Sequence, residues 1–248
     1  MALLRLLNRI TLGFFISVPR LLQYPIKLAR FFADFLFYKY AFPQIEKIPF
    51  LKLQPALFDK SDIQTASNYF YQDTWCAHKI FENKPSIHVD IGSTISFVGI
   101  ISQFVRTISV DIRPLQAILS GLKCVIGSII NLSYDDDSLE SISSLCVIEH
   151  VGLGRYGDPL NQRGADMACE ELIRVLAPSG NLYVSTQIGM NDETYFNSHR
   201  VFTRDTFVKK FRGLKLIEEI YIQNGKMYNT VEKCNLGFDT FGCFHFTK

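Results

Sequence analysis

Two carboxylates, Asp90 and Asp111, stand in apolar runs, Ser86-Ile-His-Val-Asp-Ile-Gly92 and Thr107-Ile-Ser-Val-Asp-Ile112. Such runs read as strands buried in a parallel sheet, which carries its ligand-binding groups at the carboxyl ends. An acid about 20 residues beyond the first strand turn is placed to hydrogen-bond ribose hydroxyls, and Asp111 follows Asp90 by 21 residues. The pair implies a nucleoside-containing ligand. A nicotinamide or flavin site wants G-x-G-x-x-G, so that backbone approaches a pyrophosphate at a helix N-terminus. Here Asp90-Ile-Gly92-Ser-Thr-Ile-Ser-Phe-Val-Gly99 has only Gly92 in the turn, which disfavours a nicotinamide oxidoreductase. A ligand without phosphate has less need of that helix end.

Further runs follow in order. Gly127-Ser128-Ile129 reads as the end of a third strand, and Asp136-Asp-Ser-Leu-Glu140-Ser-Ile-Ser-Ser-Leu-Cys146-Val-Ile-Glu-His150 contains a fourth. Glu170-Glu-Leu-Ile-Arg174-Val-Leu-Ala-Pro178-Ser-Gly180-Asn-Leu-Tyr-Val-Ser185 reads as a helix, a turn and a fifth strand. Over roughly residues 85 to 248 these motifs resemble the class I S-adenosylmethionine-dependent methyltransferases. That family carries a D-x-S-x-D-x-I signature at its fourth strand, where Glu140 stands in for the second acid, and E-x-x-R-V-L-K-P-G-G-x-L before its fifth. Val147-Ile-Glu-His-Val-Gly-Leu-Gly-Arg155-Tyr-Gly-Asp-Pro159 more narrowly resembles one subgroup of that superfamily.

The resemblance implies an α/β, doubly wound, Rossmann-like sheet of seven strands closed by a terminal antiparallel hairpin, with S-adenosylmethionine as cofactor. It places Asp90 and Gly92 at the methionine portion, Asp111 at the ribose, and Ser128 with Ile129 at the adenine. Ser93, Ile112 and Cys146 complete the expected cofactor contacts. Two departures stand out: Thr94 and Ser96 replace later glycines of the family's turn and narrow that space, and Ser128 stands where an acid often receives the adenine amino group. These keep open a second reading, a methyltransferase-fold protein that binds or scaffolds without turnover.

Methyl transfer is an in-line displacement at a sulfonium carbon, so the enzyme must supply alignment and, for an oxygen or nitrogen acceptor, one base. His150 directly follows the fourth strand and is the candidate base, with Glu149 beside it to orient the ring. The plainer alternative is that the Glu149-His150 pair caps a turn. Two adjacent ligands on different bearings are a weak metal signal, and no metal is implied. The glycine-rich run from Gly152 to Gly164 is long enough to be functional or mobile. Its Arg155, Tyr156 and Asp158 are candidates to bind a hydroxylated or anionic acceptor, the alternative being an Arg155–Asp158 pair that shapes the loop. Asn197 and His199, beyond the fifth strand, are further substrate-binding candidates. The acceptor class is a small molecule, a saccharide or a lipid-linked compound.

Among 248 residues, 48% are apolar and 20% charged, enough for one substantial core and unlike a disordered chain. The six cysteines form no C-x-x-C pair and read as buried thiols in a reducing, cytoplasmic compartment, with no zinc site implied. Residues 1–40 carry six basic groups and one acid, which with a total of +2 leaves the remainder at −3. A net negative remainder without a basic groove argues against nucleic acid.

The basic segment is also periodic. Leu3, Leu7, Ile10, Phe14 and Val18 recur at helical spacing with Arg5 and Arg9 on another side, and Leu28, Phe31, Phe32 and Phe35 follow Pro25. The expected element is an amphipathic helix, ended at Pro19 and resumed after Pro25. Its uncharged run from Ile10 to Val18 falls far short of the roughly 20 residues that span a bilayer. Peripheral docking on the inner face of an anionic membrane is one reading. A helical arm packed on its own domain or on a second subunit is the other.

The organisation predicted is a basic amphipathic helical arm at 1–40, a linker and lid helix at 41–84, and the methyltransferase-like domain at 85–248. The lid, Ser67 to Asn83, offers Tyr71, Asp73 and Trp75 as contacts, or as simple packing. Strands are predicted at 86–90, 107–111, 123–126, 142–147, 181–186, 214–222 and 240–247, with helices at 94–104, 114–120 and 165–176.

Overall fold

The two carboxylate-bearing runs are adjacent parallel strands in the computed structural model, which describes residues 18–41, 53, 66–234, 236 and 239–248. β1 (Ile87–Ile91) pairs with β2 (Arg106–Asp111), setting Asp90 opposite Ser109, and β2 pairs with β3 (Leu122–Ile126). On the other side of β1 come β4 (Leu139–Leu145) and β5 (Leu176–Gln187), also parallel. Two short strands, β6 (Glu193–Tyr195) and β7 (His199–Val201), form a separate antiparallel pair. β8 (Lys215–Gln223), β9 (Lys226–Tyr228) and β10 (Phe241–Thr247) complete the large sheet in the order β3-β2-β1-β4-β5-β10-β8-β9. β10 is antiparallel to both neighbours.

The sheet thus has eight strands where seven were expected. The addition is β9, joined to β8 through Asn224 and Gly225, both at positive φ (51° and 68°). Asn-Gly at two left-handed positions makes the tight turn whose twist matches antiparallel strands.

Strand alternation divides the core into two layers. Ile142, Leu182, Val184, Tyr221, Phe244 and Phe246 pack with α4 (Gly164–Val175) and α5 (Arg204–Lys210) through Leu172, Val175 and Phe207. Leu145, Tyr183, Ile220, Ile222 and Cys243 pack with α2 (Asn68–Asn83) and α3 (Ile95–Ile101) through Trp75, Cys76, Ile80, Phe97 and Ile101. Ser67 caps α2, its side chain accepting from the Phe70 amide.

The helix expected at 114–120 is absent. The chain between Asp111 and Leu122 is bends and irregular structure with Ile118 fully exposed. So short a helix is marginal without a buried face.

The signature acids and arginine turn out to be clamps. Glu140 Oε1 accepts the amides of Ser86 (2.7 Å) and Ile87 (3.1 Å) at the start of β1. Arg174 binds Glu171, Asp136 and the carbonyls of Leu132 and Tyr134, tying α4 to the approach to β4.

Residues 65–248 form one compact unit and residues 1–64 another. In the latter, α1 (Val18–Ala41) runs without a break through Pro19 and Pro25, correcting the expected interruption. Pro19 lies in the first turn, where its missing amide has no intrahelical partner to lose. Leu3, Arg5, Leu7, Arg9, Ile10 and Phe14, and the linker prolines Pro43, Pro49 and Pro55, lie outside the described residues. No helix among the described residues is long and apolar enough to cross a membrane.

Candidate functional site

A buried polar chain supports the turn after β1. Asp90 is fully buried, and its Oδ2 accepts from Ser143 Oγ (2.5 Å) and Ser93 Oγ (2.6 Å). Ser93 Oγ in turn accepts the Leu145 amide at 3.0 Å. Behind Asp90, His88 bridges the hydroxyls of Ser141 and Ser143, each at 2.8 Å. Burial drives the His88 pKa down to about 3 and the Asp90 pKa up to about 6. Asp90 therefore shapes the turn from beneath and is not part of the cleft wall. Gly92 adopts φ +75°, and a Cβ there would stand 3.1 Å from Val147, so glycine meets both the conformation and the close approach of the β4 end. Thr94 at the position of a lost glycine caps α3, accepting the Phe97 amide and donating to Asp73.

Above this turn, at the carboxyl ends of the parallel strands, lies a cleft of about 550 Å³. Gly92, Ser93, Asp111, Ile112, Ser128, Ile129 and Cys146 all line it, so the structure brings together every predicted cofactor contact except Asp90. Asp111 ends β2, its Oδ1 accepting the Arg113 amide at 2.6 Å. Arg113, not singled out from the sequence, lies with its guanidinium 4.6 Å from the centre of the Tyr156 ring, and Arg155 with its own 5.1 Å from that ring. Cation-to-ring attraction of this kind holds the glycine-rich loop against the end of β2.

The catalytic candidates meet at the β4 end, in a 3-10 turn (Ile148–His150). His150 lines the cleft, and its Nδ1 lies 2.6 Å from the Ser198 carbonyl oxygen. A carbonyl only accepts, so Nδ1 bears the proton and Nε2 is left with a lone pair. Burial pushes the His150 pKa down to about 4. Glu149 is 1% exposed; Thr186 donates to its Oε2 at 3.4 Å, while Oε1, 3.9 Å from His150 Nε2, has no hydrogen-bond partner. Burial raises the Glu149 pKa to about 7.

The lid helix contributes differently than expected. Tyr69 lines the cleft, its hydroxyl pKa raised by burial and by the nearby Cys146 and Glu149. Trp75 instead packs on Tyr183 and donates to Glu218, Asp73 holds Thr94, and Tyr71 packs edge-on to Phe70. Gln72, fully buried, accepts from Ser185 Oγ (2.7 Å) and Cys146 Sγ (3.0 Å). A glutamine on the same helical face as Cys76 and Ile80 was the available signal for this contact, since a buried amide must find partners.

Asp158 lines the cleft, but its carboxylate is engaged by the amides of Gly152 (2.6 Å), Tyr156 (3.3 Å) and Gly154 (3.4 Å). It shapes the loop and is not a free acceptor contact. The Arg155–Asp158 pair does not form either, because Arg155 reaches the Ser198 carbonyl at 3.0 Å. A Cβ at Gly152, φ +82°, would lie 2.0 Å from the Asn161 carbonyl oxygen, so no other residue fits there. Asn197 is exposed at the β6–β7 turn, and His199 is buried behind His150 with ring centres 6.4 Å apart. Neither is in the cleft wall. Among the described residues, no group of three or more His, Cys, Asp or Glu is placed to hold a metal ion.

The sequence of residues 109–237 matches the profile of a family described as "Caenorhabditis protein of unknown function, DUF268". The chain belongs to this DUF268 family. The DUF268 match spans Asp111, the β4 end, the glycine-rich loop and the β6–β7 pair, and begins after the turn at Gly92. No curated protein sequence matches the chain. Among solved structures, this DUF268 chain is similar to the N-methyltransferase NodS from Bradyrhizobium japonicum WM9 (TM-score 0.53, 14% identity, covering 72% of this chain and 95% of that one). NodS is also known in complex with S-adenosyl-L-homocysteine. It is similar to 1,6-didemethyltoxoflavin-N1-methyltransferase from Burkholderia thailandensis with bound S-adenosylhomocysteine (TM-score 0.50, 12% identity, 90% and 91% covered). A third similar structure is the [4+2]-cyclase SpnF (TM-score 0.54, 10% identity, 76% and 85% covered). At these identities the likeness establishes the fold: the DUF268 chain has the class I methyltransferase architecture.

Proposed function

We propose that the chain is an S-adenosylmethionine-dependent methyltransferase acting on a small-molecule, saccharide or lipid-linked acceptor. The observation that carries this reading is the open cleft at the strand ends with Asp111 in its wall. Its volume of about 550 Å³ suits a nucleoside–amino acid ligand, and Thr94 does not fill it, because its hydroxyl is turned to α3 and Asp73. That weighs against the scaffold reading.

In this proposal Gly92, Ser93 and Cys146 border the methionine portion, Asp111 and Ile112 the ribose, and Ser128 and Ile129 the adenine, while Asp90 holds the turn in shape. When bound, S-adenosylmethionine supplies a sulfonium methyl carbon, whose bond to sulfur breaks with the electron pair going to sulfur as the bond to the acceptor atom forms. His150 Nε2 receives the proton that the acceptor loses, the Ser198 carbonyl holding the ring in the tautomer that leaves this nitrogen bare. Glu149 adjoins that nitrogen. Arg155 and Tyr156 border the acceptor's entry, with Asn197 and His199 outside the wall as supports of that side.

The division into an arm at 1–40, a linker and lid at 41–84 and a catalytic domain at 85–248 belongs to the same proposal, with docking of the arm on the inner face of an anionic membrane from the cytoplasmic side. Lys27, Arg30 and Lys39 against Asp34 in α1, with Leu22, Ile26 and Phe37 well exposed, support it.

Calorimetric titration of the full chain with S-adenosylmethionine, S-adenosylhomocysteine and NAD tests the cofactor. Micromolar binding of the first two and none of NAD is expected; no binding by a folded chain would leave the scaffold reading in its place. Flotation with phosphatidylserine vesicles, absent with phosphatidylcholine alone, tests the arm.

A further inference from the structure

Where the β4 end and the glycine-rich loop wall the cleft, most polar side chains are already engaged. Cys146 Sγ donates to Gln72 at 3.0 Å, Asp158 receives three loop amides, and Asn161 receives the Arg163 amide at 2.9 Å while its Nδ2 turns to Met167. Arg155 is held on the Ser198 carbonyl and lies outside the wall. His150 is the exception. It lines the cleft, and its Nε2 has no hydrogen-bond partner among the described residues and, unlike Glu149 Oε1, is not closed off. Aromatic rings surround it: Tyr156 stands edge-on to the imidazole at 5.4 Å, and Tyr69, itself set edge-on to Phe241 at 5.0 Å, lines the same cleft. We infer that the acceptor is a hydroxylated aromatic ring, packed against Tyr69 and Tyr156 with its hydroxyl donating to His150 Nε2, and that the methyl group goes to that oxygen. The inference rests on the methyltransferase reading and narrows its acceptor class.

The strength of the base selects the acceptor atom. Burial makes the imidazole a weak one, with a pKa of about 4. A hydroxyl oxygen attacks the sulfonium methyl carbon with a lone pair, the carbon–sulfur electron pair goes to sulfur, and the O–H proton passes to Nε2 and from there to water. As the new bond forms, the oxygen becomes that of a protonated ether, a far stronger acid than this imidazolium, so even a weak base takes the proton. An amine yields instead a methylammonium, and since alkylammonium groups titrate near pH ~10, His150 would stand idle. A phenol suits the site better than an aliphatic alcohol, because its oxygen gives up the proton more readily and its ring packs on the two tyrosines. Tyr69 is not a competing base: burial and the nearby Cys146 and Glu149 raise its pKa, so it keeps its proton.

Phenol, aniline and cyclohexanol are six-membered rings that separate the two requirements, oxygen against nitrogen and flat against puckered. In the full chain labelled with nitrogen-15 histidine, at pH 8 with S-adenosylhomocysteine present, phenol is expected to shift the His150 Nε2 resonance saturably. With methyl-labelled S-adenosylmethionine, the phenol methyl ether is expected to form faster than either other product by at least about 100-fold, the lower end of what general-base catalysis contributes. Methylation of aniline or cyclohexanol at a comparable rate overturns the assignment. So does the absence of any Nε2 response to phenol, or phenol and S-adenosylmethionine bound together without formation of the ether, while S-adenosylhomocysteine binding leaves the cofactor reading in place. A chain in which phenol shifts Nε2 but neither S-adenosylmethionine nor S-adenosylhomocysteine binds keeps the hydroxyl site and overturns the methyltransferase reading instead.

Discussion

His150 and Ser198 are 48 residues apart in sequence, and the imidazole Nδ1 meets the Ser198 carbonyl at 2.6 Å. The β6–β7 pair therefore sets the tautomer of a residue on the β4 end. The pairing of β6 with β7 brings Ser198 back over the cleft rim, where Arg155 shares the same carbonyl.

Burial keeps this histidine neutral well into the acid range, although the Ser198 bond by itself favours the protonated ring. Nitrogen-15 spectra should show Nδ1 protonated, Nε2 bare and a titration near the pKa of about 4. Because this value lies below the unfolded 6.5, the associated stability is present above pH 6.5 and is lost as pH falls toward 4. A titration near 6.5 would mean that His150 is not buried as described, since burial is what lowers its pKa and the Ser198 bond works against that. Replacing His150 by Ala should lower turnover by about 10²–10⁴-fold with S-adenosylhomocysteine affinity unchanged.

Glu149 has the opposite sign. Its folded pKa of about 7 lies above the model-peptide value of 4.5, so its favourable protonated form is fully present below pH 4.5 and is lost as pH rises through 7. Glu149→Gln removes the need to ionise a buried carboxyl. The variant should be more stable than wild type by up to about 3 kcal/mol at pH 8, the difference disappearing near pH 4.5. Urea unfolding across that range is the measurement, and a pH-independent difference would contradict the burial argument.

Asp111→Ala should weaken S-adenosylhomocysteine binding by about 1.5–3 kcal/mol through loss of a charge-assisted bond. Circular dichroism should remain native, because Asp111 Oδ1 is engaged locally by Arg113, through its amide at 2.6 Å and its Nε at 4.0 Å. Unchanged calorimetric affinity in the folded variant would remove Asp111 from the site.

Asp158→Ala tests the loop. Three amides, those of Gly152, Gly154 and Tyr156, lose their acceptor, and hydrogen exchange at these positions should accelerate at least tenfold, since local opening governs protection. Protection retained at all three would show that Asp158 does not organise the loop.

The parallel strands were legible because each is a short apolar run ending at a turn, and burial on both faces leaves little else for such a run to do. The ends of β1, β2 and β4 carried the cofactor candidates for the same reason. Less visible was β9, since the hairpin signal Gln223-Asn-Gly-Lys226 leads into a strand too short to show a pattern. Glu140 and Arg174 were legible as signature residues but not as clamps, because their partners at Ser86, Ile87, Leu132 and Tyr134 are distant in the chain.

The sequence by itself determined the strand order's raw material, the acid at the end of β2, the glycine turn and the neighbourhood of His150, all of which depend on local pattern and short spacing. Tertiary structure alone decided which groups are spent and which are left. Asp90 and Asp158 are consumed by Ser143, Ser93 and loop amides, Tyr69 and not Trp75 faces the cleft, and Glu149 Oε1 and His150 Nε2 remain as acceptors. A polar atom's availability depends on every donor within reach, and those donors arrive from strands and loops that sequence spacing cannot bring together.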